Sequence, residues 1–408
     1  MLLLLPSFVV KKASSHSHVT GFFLSFSKNR DDHPVVASSP HRPTRRSSSS
    51  SSRRRSIFAV VVLLLAAALP QQAHASRSGA DCGCEFSHAC YPADGVLLKQ
   101  AANDFTAVPS NWDGKIGDDD YGLSPSEWCT GDVTTMEKLF MNKDSFDENL
   151  SKWDVSSVTD MFKIFYGASK FSGDGVGSIG SWDVSKVTSM KEMFNEASSF
   201  TGDGVGGWNT ASVTTMEKMF ESASSFTGSI GTWNFSNVTT TRYMFNGASS
   251  FTGDDGVEGW DVSSVTIMNG MFNFATSFTG VGISAWDVSK VTNMYSMFNG
   301  AASFTGDGIR FWDVSKVANM NIMFQNTTRF NENLCAWRDR NFPYNTAANI
   351  FAGSGCTFTE NPNQANGGGP FCASDCTSPT DSVSDTSSSL CEIVMFLFLN
   401  FNLTITTL

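Results

Sequence analysis

The feature that most constrains this chain is a repeat that begins with tryptophan. Counting from each tryptophan, the pattern reads WDVSxVTxMxxMFxxAxSFTG, followed by a Gly/Asp loop and one Ile, Val or Leu. Neighbouring copies begin 25 to 29 residues apart, a period typical of stacked repeat units. The units start at Trp128, Trp153, Trp182, Trp208, Trp233, Trp260, Trp286 and Trp312, and Trp337 closes the last one.

The apolar spacing predicts a short helix in each unit. In the unit that starts at Trp182, Val187, Met190 and Phe194 follow steps of three and four, as one face of a helix requires. Ser185 stands just before this run and is predicted to be the N-cap. The predicted repeat core consists of Trp182, Val187, Met190, Met193, Phe194 and Phe200.

A glycine-rich loop after Phe200 ends the predicted helix, and a short extended segment is predicted to lead into Trp208. A helix and a strand this short each bury only one face, so neighbouring units must cover them. The sequence therefore predicts an α/β solenoid of about eight coils, each with one short strand and one short helix. Methionine and tryptophan at these positions are interpreted as core rather than as a cofactor site.

Two stretches carry a resemblance to a known family. "WDVSKVTSMKEMFNEASSFTGD" at Trp182–Asp203 and "WDVSKVTNMYSMFNGAASFTGD" at Trp286–Asp307 resemble the 26-residue repeat of bacterial and protist surface proteins, which are classed as BspA-like leucine-rich repeat proteins. The resemblance covers Trp128 to Trp337. It implies a right-handed leucine-rich-repeat-like solenoid, exposure on a surface, and a role in adhesion or binding. It implies neither a cofactor nor a catalytic residue.

Two units depart from the pattern of that family. Thr241 stands where most units have methionine, and Cys129 follows Trp128 where most units have aspartate. A cysteine in the first unit fits a terminal unit that is fastened by a disulfide, because the outermost units of a repeat array must cover their apolar faces.

The chain divides by composition into five predicted regions. Residues 1–75 are a targeting region, 76–127 an N-terminal Cys-rich cap, 128–337 the repeat solenoid, 338–376 a C-terminal Cys-rich cap, and 377–408 a Ser/Thr-rich stalk with a hydrophobic tail. Residues 1–56 contain 10 Lys+Arg and 2 Asp+Glu, which leaves 18 and 37, or a net charge of −19, for the remainder. An acidic body argues against a nucleic-acid partner.

Residues 53–75, "RRRSIFAVVVLLLAAALPQQAHA", resemble a secretory signal peptide that is cleaved after Ala75. The apolar run is short for a membrane span, although a retained signal anchor is the alternative. The Ser- and Arg-rich residues before it are similar to a transit peptide, so a two-part address to an organelle lumen also stays open. The expected location is secreted or cell-surface.

Cysteine usage agrees with export. The cysteines flank the repeat, and eight of them are predicted to form disulfides within the two ends. The spacings fit zinc poorly, because they contain no pair of CxxC motifs. The candidates are Cys82, Cys84, Cys90, Cys129, Cys335, Cys356, Cys372 and Cys376, and Cys391 is left over.

Enzyme motifs are scarce. After cleavage at Ala75, His88 would be the single histidine, which disfavours Ser-His-Asp or Cys-His catalysis. Gly202, Gly204 and Gly207 match GxGxxG, but no buried strand precedes them and no helix follows. We therefore expect a protein that is not an enzyme.

Loop aspartates recur beside glycines and are candidate calcium ligands: Asp174, Asp203, Asp255 and Asp307. Calcium needs six to eight oxygens, so neighbouring units would have to share an ion. The alternative is that Asp-Gly simply makes a good turn.

Sequons permit N-glycosylation at Asn149, Asn234, Asn237 and Asn326. The tail that follows Ser389 resembles a GPI-attachment signal, although Glu392 interrupts its apolar run. Membrane attachment would then come from a GPI anchor or from a retained signal anchor.

These observations predict a surface or secreted repeat protein that binds an unidentified protein or glycan through variable polar positions. Lys186 and Ser189, against Thr214 and Thr215 in the adjoining unit, are examples of such positions. The alternative is a structural wall or matrix spacer. Exposed aromatic residues or a charge ladder on one face would favour binding, whereas uniform Ser/Thr would favour the spacer.

Overall fold

The computed structural model describes residues 88–107, 109–117, 119–173 and 179–377. The chain divides into two units, 1–72 and 73–408, and the described residues all belong to the second. The signal peptide predicted at 53–75 and the tail beyond Thr377 lie outside the described residues. So do three of the candidate residues, Cys82, Cys84 and Asp174.

Regular helices and strands lie mainly before the repeat. Helix α1 spans Val96–Ala107, and the antiparallel strands β1 (Lys115–Ile116) and β2 (Asp119–Asp120) pair Lys115 with Asp120. Three-residue 3₁₀ turns lie at Pro109–Asn111, Pro125–Glu127, Ile179–Ser181, Val205–Gly207, Val257–Gly259, Ile283–Ala285, Ile309–Phe311, Cys335–Trp337, Tyr344–Thr346 and Gln364–Asn366.

The repeated units stack in register through parallel bridges. Each unit contributes one bridging residue, and the bridge runs through Thr135, Asp160, Ser189, Thr215, Thr240, Ile267, Asn293 and Asn319. The strand predicted before Trp208 is wrong, because Val205–Gly207 forms a 3₁₀ turn there. Pairing between units instead occurs at Ser189 and its equivalents, one residue beyond an exposed threonine.

The helix predicted in each unit is also wrong. Residues 190–196 form consecutive turns, in which Glu192 and Glu196 have φ of 55° and 60°. A left-handed residue at every fourth position interrupts a right-handed helix. The turns nevertheless keep Met190, Met193 and Phe194 on one side, so they satisfy the same apolar spacing that a helix would.

Hydrogen bonding explains why the turns are preferred to a helix. The N–H of Phe194 donates to Met219 O in the next unit at 2.9 Å, while the N–H of Met193 donates to Met190 O in its own unit at 3.3 Å. Successive amides thus alternate between closing a turn and joining two units. A helix would satisfy the backbone of one unit and leave the stack without these bonds.

The N-cap assigned to Ser185 is wrong as well. Its backbone N–H donates to Asp183 Oδ1 at 3.0 Å, so the aspartate is the acceptor that closes the turn. Asparagine does the same at Asn209 and Asn234, which receive the amides of Ala211 and Ser236. The aspartate after each tryptophan is therefore retained for local turn chemistry.

Tryptophan is required because each indole both packs and donates. Trp208 stacks on Trp182 and Trp233 with centroid distances of 6.4 and 6.1 Å. Its Nε1 donates to Ile179 O, in the turn that leads into Trp182, at 3.0 Å. The same bond recurs from Trp182 to Leu150, Trp233 to Val205, Trp260 to Ile230, Trp286 to Val257, Trp312 to Ile283 and Trp337 to Ile309.

Two columns of phenylalanine complete the core. Phe194 lies 5.7 Å from Phe220, and Phe200 lies 6.0 Å from Phe226, with nearly parallel rings in both pairs. Within one unit, the Phe194 and Phe200 rings are 3.8 Å apart. The residues predicted to form the repeat core, Trp182, Val187, Met190, Met193, Phe194 and Phe200, are all buried.

The glycine of "SFTG" is required by this packing. Gly202 has φ of 81°, and a Cβ placed on it would lie 2.3 Å from the Phe226 ring of the next unit. Both the backbone conformation and the close approach exclude a larger residue.

Both ends of the repeat are closed by other elements. At the N-terminal end, Tyr91 stacks on Tyr121 at 4.3 Å, and the N–H of Thr134 donates to Ala93 O. At the C-terminal end, disulfides join Cys335 to Cys376 and Cys356 to Cys372. Cys90 and Cys129 also take part in disulfides.

Candidate ligand-binding face

The turns of successive units form one continuous surface. They comprise residues 136–142, 161–167, 190–196, 216–222, 241–247, 268–274, 294–300 and 320–326. In each segment the first, fourth and fifth residues are buried in the core. We call the surface formed by the second, third, sixth and seventh residues the turn face. Its residue types change from unit to unit, whereas the core positions stay nearly constant.

The first part of the turn face, from Glu137 to Arg242, is a network of ion pairs between units. The Nζ of Lys163 lies 3.0 Å from Glu192, and that of Lys191 lies 3.1 Å from Glu217. Further pairs join Lys218 to Glu221 and Arg242 to Glu217. We call this part the charged half. Its acids and bases largely neutralise each other.

The second part, from Tyr243 to Asn326, has no charged residue at any turn-face position. We call it the neutral half. It contains two exposed aromatic side chains, Phe274 (52% exposed) and Tyr295 (36% exposed). Aromatic residues are enriched in protein interfaces relative to the rest of the surface, which makes this part a candidate binding site.

Side-chain amides connect these units. Asn246 Nδ2 donates to Glu221 Oε1 at 2.7 Å, and Asn273 Nδ2 donates to Asn246 Oδ1 at 2.7 Å. Asn299 Nδ2 and Ser296 Oγ both donate to Asn273 Oδ1 at 2.9 Å. We call this chain the amide ladder. It fixes the orientation of polar groups along the neutral half.

Left-handed backbone positions present the aromatic rings. Tyr243 and Phe274 both have φ of 53°, and the next unit has glycine at the same position. A Cβ on Gly270 would lie 2.0 Å from the Tyr243 ring, and a Cβ on Gly300 would lie 2.5 Å from the Phe274 ring. Each ring therefore lies against a glycine of the next unit, where a larger residue would collide with it.

The polar positions chosen from the sequence as examples lie elsewhere. Ser189 and Thr215 are bridge partners, and Thr214 donates both its N–H and its hydroxyl to Thr188 O. Exposed threonines form a column at Thr134, Thr159, Thr188, Thr214, Thr239, Thr266 and Thr292. Lys186 is exposed beside this column. Sequence reasoning missed the turn face because it assigned those residues to a helix.

Of the loop aspartates that the structure describes, one lies at a concavity of about 750 Å³. Asp255 accepts from Ser229 Oγ at 2.8 Å, and Asp307 accepts from Thr305 Oγ1 at 3.1 Å. Asp203 lines the concavity. Among the described residues, no group of three His, Cys, Asp or Glu side chains is arranged to hold a metal ion.

Three of the four predicted glycosylation sites are exposed, namely Asn234, Asn237 and Asn326. Asn149 is half-buried, and its Oδ1 accepts the N–H and the hydroxyl of Ser151. Glycosylation at these positions stays a prediction.

The disulfides bear on the compartment in which the protein works. Structural disulfides persist in oxidising environments, so they indicate an extracellular or secreted protein. Across the described ranges, no helix has the length and apolar character needed to cross a membrane.

Comparison with known proteins adds limited information. No curated protein matched the chain. Among solved structures, a chain of "Crystal structure of TLR13-ssRNA13 complex" aligns over 49% of this protein and 41% of its own length, with 8% identity and a TM-score of 0.13. This protein thus spans less than half of that chain, and a likeness this weak carries no argument.

A protein-family profile described as "Mycoplasma protein of unknown function, DUF285" matches residues 118–175, 175–257 and 252–363. The three matches cover the stacked units and together more than half of the chain. The protein therefore belongs to the DUF285 family of repeat proteins, whose function is unknown.

Proposed function

We propose that this protein is a non-catalytic, secreted or surface-held repeat protein that binds a protein or glycan through its turn face. The contrast between a constant core and a changing turn face carries the proposal. In this proposal the units form a right-handed solenoid of about eight coils, similar to BspA-like leucine-rich repeat proteins. Extended faces of such stacks suit broad, shallow recognition.

The composition of the turn face supports binding over a spacer role. A spacer needs only repeated, soluble side chains, and the threonine column meets that need. The turn face instead has ion pairs in one half and exposed aromatic residues with amides in the other. The exposed aromatic residues occur in only a few units, so stacking of the units does not require them.

The backbone of the turn face supports the same conclusion. A left-handed conformation costs a residue other than glycine about 1–2 kcal/mol. At the seventh turn position glycine is found at Gly167, Gly247 and Gly300, whereas Phe274 keeps a large side chain. At the third turn position glycine is found at Gly270, whereas Tyr243 keeps a large side chain. A large side chain that is kept despite this conformational cost supports a functional role for that side chain.

Two further parts of the proposal are that the protein is not an enzyme and that it is secreted or surface-held. The first is supported by its histidine content and the second by its disulfides. His88 is the single histidine after the predicted cleavage at Ala75, and none lies on the turn face. The disulfides support an oxidising compartment. Attachment by a GPI anchor or by a retained signal anchor remains a prediction.

A rebinding experiment tests the proposal. Full-length protein is recovered from unpermeabilised cells, and its termini are determined by mass spectrometry, with and without a GPI-cleaving phospholipase. The protein is then returned to stripped cells, and bound protein is quantified for wild type and two variants. One variant replaces the exposed turn-face side chains of two adjacent units with serine. The matched control replaces Thr188, Thr214 and Thr239 with serine.

We expect the turn-face variant to lose rebinding, because the contacts lie there, while the threonine variant rebinds normally. Equal rebinding of all three proteins would contradict the proposal and favour the spacer. Recovery only from an organelle lumen, with an intact basic N-terminus, would contradict the surface location.

A further inference from the structure

We propose that the neutral half of the turn face, centred on Phe274 and the amide ladder, binds an uncharged polysaccharide chain. This inference rests on the proposed binding function and narrows the ligand to one chemical class.

The Phe274 ring supplies the apolar contact. It is 52% exposed and lies against Gly300, so part of the side chain is accessible to a ligand. The face of an aromatic ring is electron-rich and attracts positively polarised hydrogens. The C–H groups on one face of a sugar ring are such hydrogens. A pyranose can therefore stack on Phe274.

Tyr295 extends this contact into the next unit. It is 36% exposed and lies among turn-face residues that have no charge. Tyr243 differs, because Lys218 and Arg242 lie 5.7 and 5.3 Å from its ring centroid. The ring of Tyr243 thus already contacts two cationic side chains. The proposed site therefore begins after Tyr243.

The amide ladder supplies the polar contacts. An asparagine amide carries two N–H donors, and the ladder uses one donor each from Asn246, Asn273 and Asn299. Asn246 and Asn273 are half-buried, so their amide groups lie close enough to the surface for a ligand to reach. Sugar hydroxyls both donate and accept, as these groups require.

The arrangement favours a polymer over a single sugar. The ladder advances by one unit at each step, so the amides recur along the direction of stacking. Stacked units of this kind are spaced by about 4.8 Å. A chain of sugars laid along the stack meets an equivalent amide at each unit, whereas one sugar reaches only one or two.

The separation of the rings favours a glycan over a protein. Protein interfaces are built around contiguous apolar patches. Here the neighbours of Phe274 and Tyr295 are polar: Asn273 is half-buried, and it accepts hydrogen bonds from the buried Asn299 and Ser296. A surface that alternates a flat ring with amides matches a sugar, which has an apolar face and a polar rim.

Phe274→Gly is the decisive variant because it removes the ring without straining the fold. Glycine already occupies this repeat position at Gly247 and Gly300, and it adopts φ of 53° readily. Tyr295→Asn likewise introduces the residue found at Asn269 and Asn321 in the neighbouring units. We expect both variants to melt no lower than wild type.

Two matched controls separate the site from general effects. Ser222→Gly changes the same repeat position in the charged half, at φ of 61°. Phe311→Ala removes another exposed phenylalanine, 42% exposed, outside the turn face. Full-length protein is titrated against immobilised neutral glucans, mannans and galactans, with sulfated and carboxylated polysaccharides as charged counterparts.

We expect wild type and both controls to bind one of the neutral polymers with little dependence on salt. We expect Phe274→Gly and Tyr295→Asn each to weaken binding about tenfold, and the pair to weaken it further. Charge-independent binding follows from the neutral lining, because screening by salt acts only on charged contacts.

Failure of the inference and of the proposed function are distinguishable. If Phe274→Gly binds the polymers as wild type does, or if only charged polysaccharides bind and salt abolishes the binding, the neutral-glycan site is overturned. If wild type binds no polysaccharide but still rebinds stripped cells through its turn face, the ligand is a protein. The glycan inference then falls while the proposed function stands. If wild type binds no polysaccharide and also fails to rebind stripped cells, both the glycan inference and the proposed function are overturned.

Discussion

The indole Nε1 of Trp208 donates a 3.0 Å hydrogen bond to the main-chain carbonyl of Ile179, in the 3₁₀ turn that leads into Trp182. Both residues are buried. The bond fixes each tryptophan to its preceding neighbour and explains why phenylalanine does not replace it. Because every unit repeats it, this bond couples the stability of adjacent units.

We expect Trp208→Phe to lower the free energy of unfolding by about 1–3 kcal/mol, because the carbonyl of Ile179 is left buried without its donor. Urea denaturation followed by circular dichroism measures the change. An unchanged urea midpoint would show that the indole serves packing alone.

Gly202→Ala is expected to destabilise the protein by several kcal/mol, whereas Gly207→Ala should be tolerated. The first substitution places a Cβ 2.3 Å from the Phe226 ring at a φ of 81°, and the second places it with no atom within 4 Å. The two glycines lie in the same loop, so thermal melts of the pair provide the comparison. Equal melting temperatures would contradict the close packing of Gly202 on Phe226.

Thr241→Val is expected to stabilise the protein by about 1 kcal/mol, because it removes a buried hydroxyl that lacks a hydrogen-bond partner and keeps the side-chain shape. Thr239→Val, two residues earlier, is the control. The Thr239 hydroxyl donates to Thr214 O at 3.3 Å on the surface, so its loss should cost a little stability. Thermal melts measure both variants, and a destabilised Thr241→Val would contradict the assignment of an unpaired hydroxyl.

Because of the aspartates that follow the tryptophans, we expect the protein to lose stability in acid. Hydrogen bonds from the side chain and backbone of the serine two residues on lower the pKa of Asp261, Asp287 and Asp313 below the ordinary value of 3.8. A carboxyl whose pKa is lower when folded stabilises the fold above its unfolded pKa, and this is lost as pH falls through the folded pKa. The free energy of unfolding should therefore decrease below about pH 4.

Replacing these three aspartates with asparagine should lower stability at pH 7 slightly, because the charge-assisted hydrogen bonds become neutral ones, and should flatten the decrease in acid. Asparagine makes the same turn at Asn209 and Asn234, so the local structure is retained. Urea titrations between pH 2.5 and 7, a range chosen around the aspartate pKa, compare the variant with wild type. Identical pH profiles would show that other groups control the response to acid.

Removal of the Cys335–Cys376 disulfide should cost more stability than removal of Cys356–Cys372. The first encloses a sequence separation of 41 residues and the second one of 16, and closing the longer loop restricts the unfolded chain more. Chain-entropy arguments give about 4 and 3 kcal/mol. Double alanine variants compared by urea denaturation test the order, and the reverse order would contradict an entropic origin.

Much of the architecture follows from the sequence. The period, the stacking and the buried positions such as Trp182 and Phe194 are all consequences of the same apolar pattern. Steps of three and four do not distinguish a helix from consecutive turns that keep the same residues inside. The prediction of a helix therefore failed at Glu192 and Glu196, where a left-handed backbone is adopted by residues whose type gives no sign of it.

A signal for the turns was nevertheless present. Glycine occurs at the seventh turn position in Gly167, Gly247 and Gly300 and at the third in Gly270, and a helix would disfavour glycine at these positions. The turn face could not be found from sequence because its existence depends on these turns. The amide ladder likewise requires the stack, since Asn246, Asn273 and Asn299 are about one period apart and come together only in three dimensions.

The bond from Trp208 to Ile179 has a consequence for how genes of this kind change. Removing residues 208–232 would place Trp233 directly after Gly207, and its indole would meet the carbonyl of Ile179 as Trp208 does now. Each unit contacts only its neighbours in the stack. DNA encoding one whole unit can therefore be lost or duplicated, and the units brought together still form the same kind of interface. Descendants can thus lengthen or shorten the turn face in discrete steps, each of which changes the size of the ligand it can span.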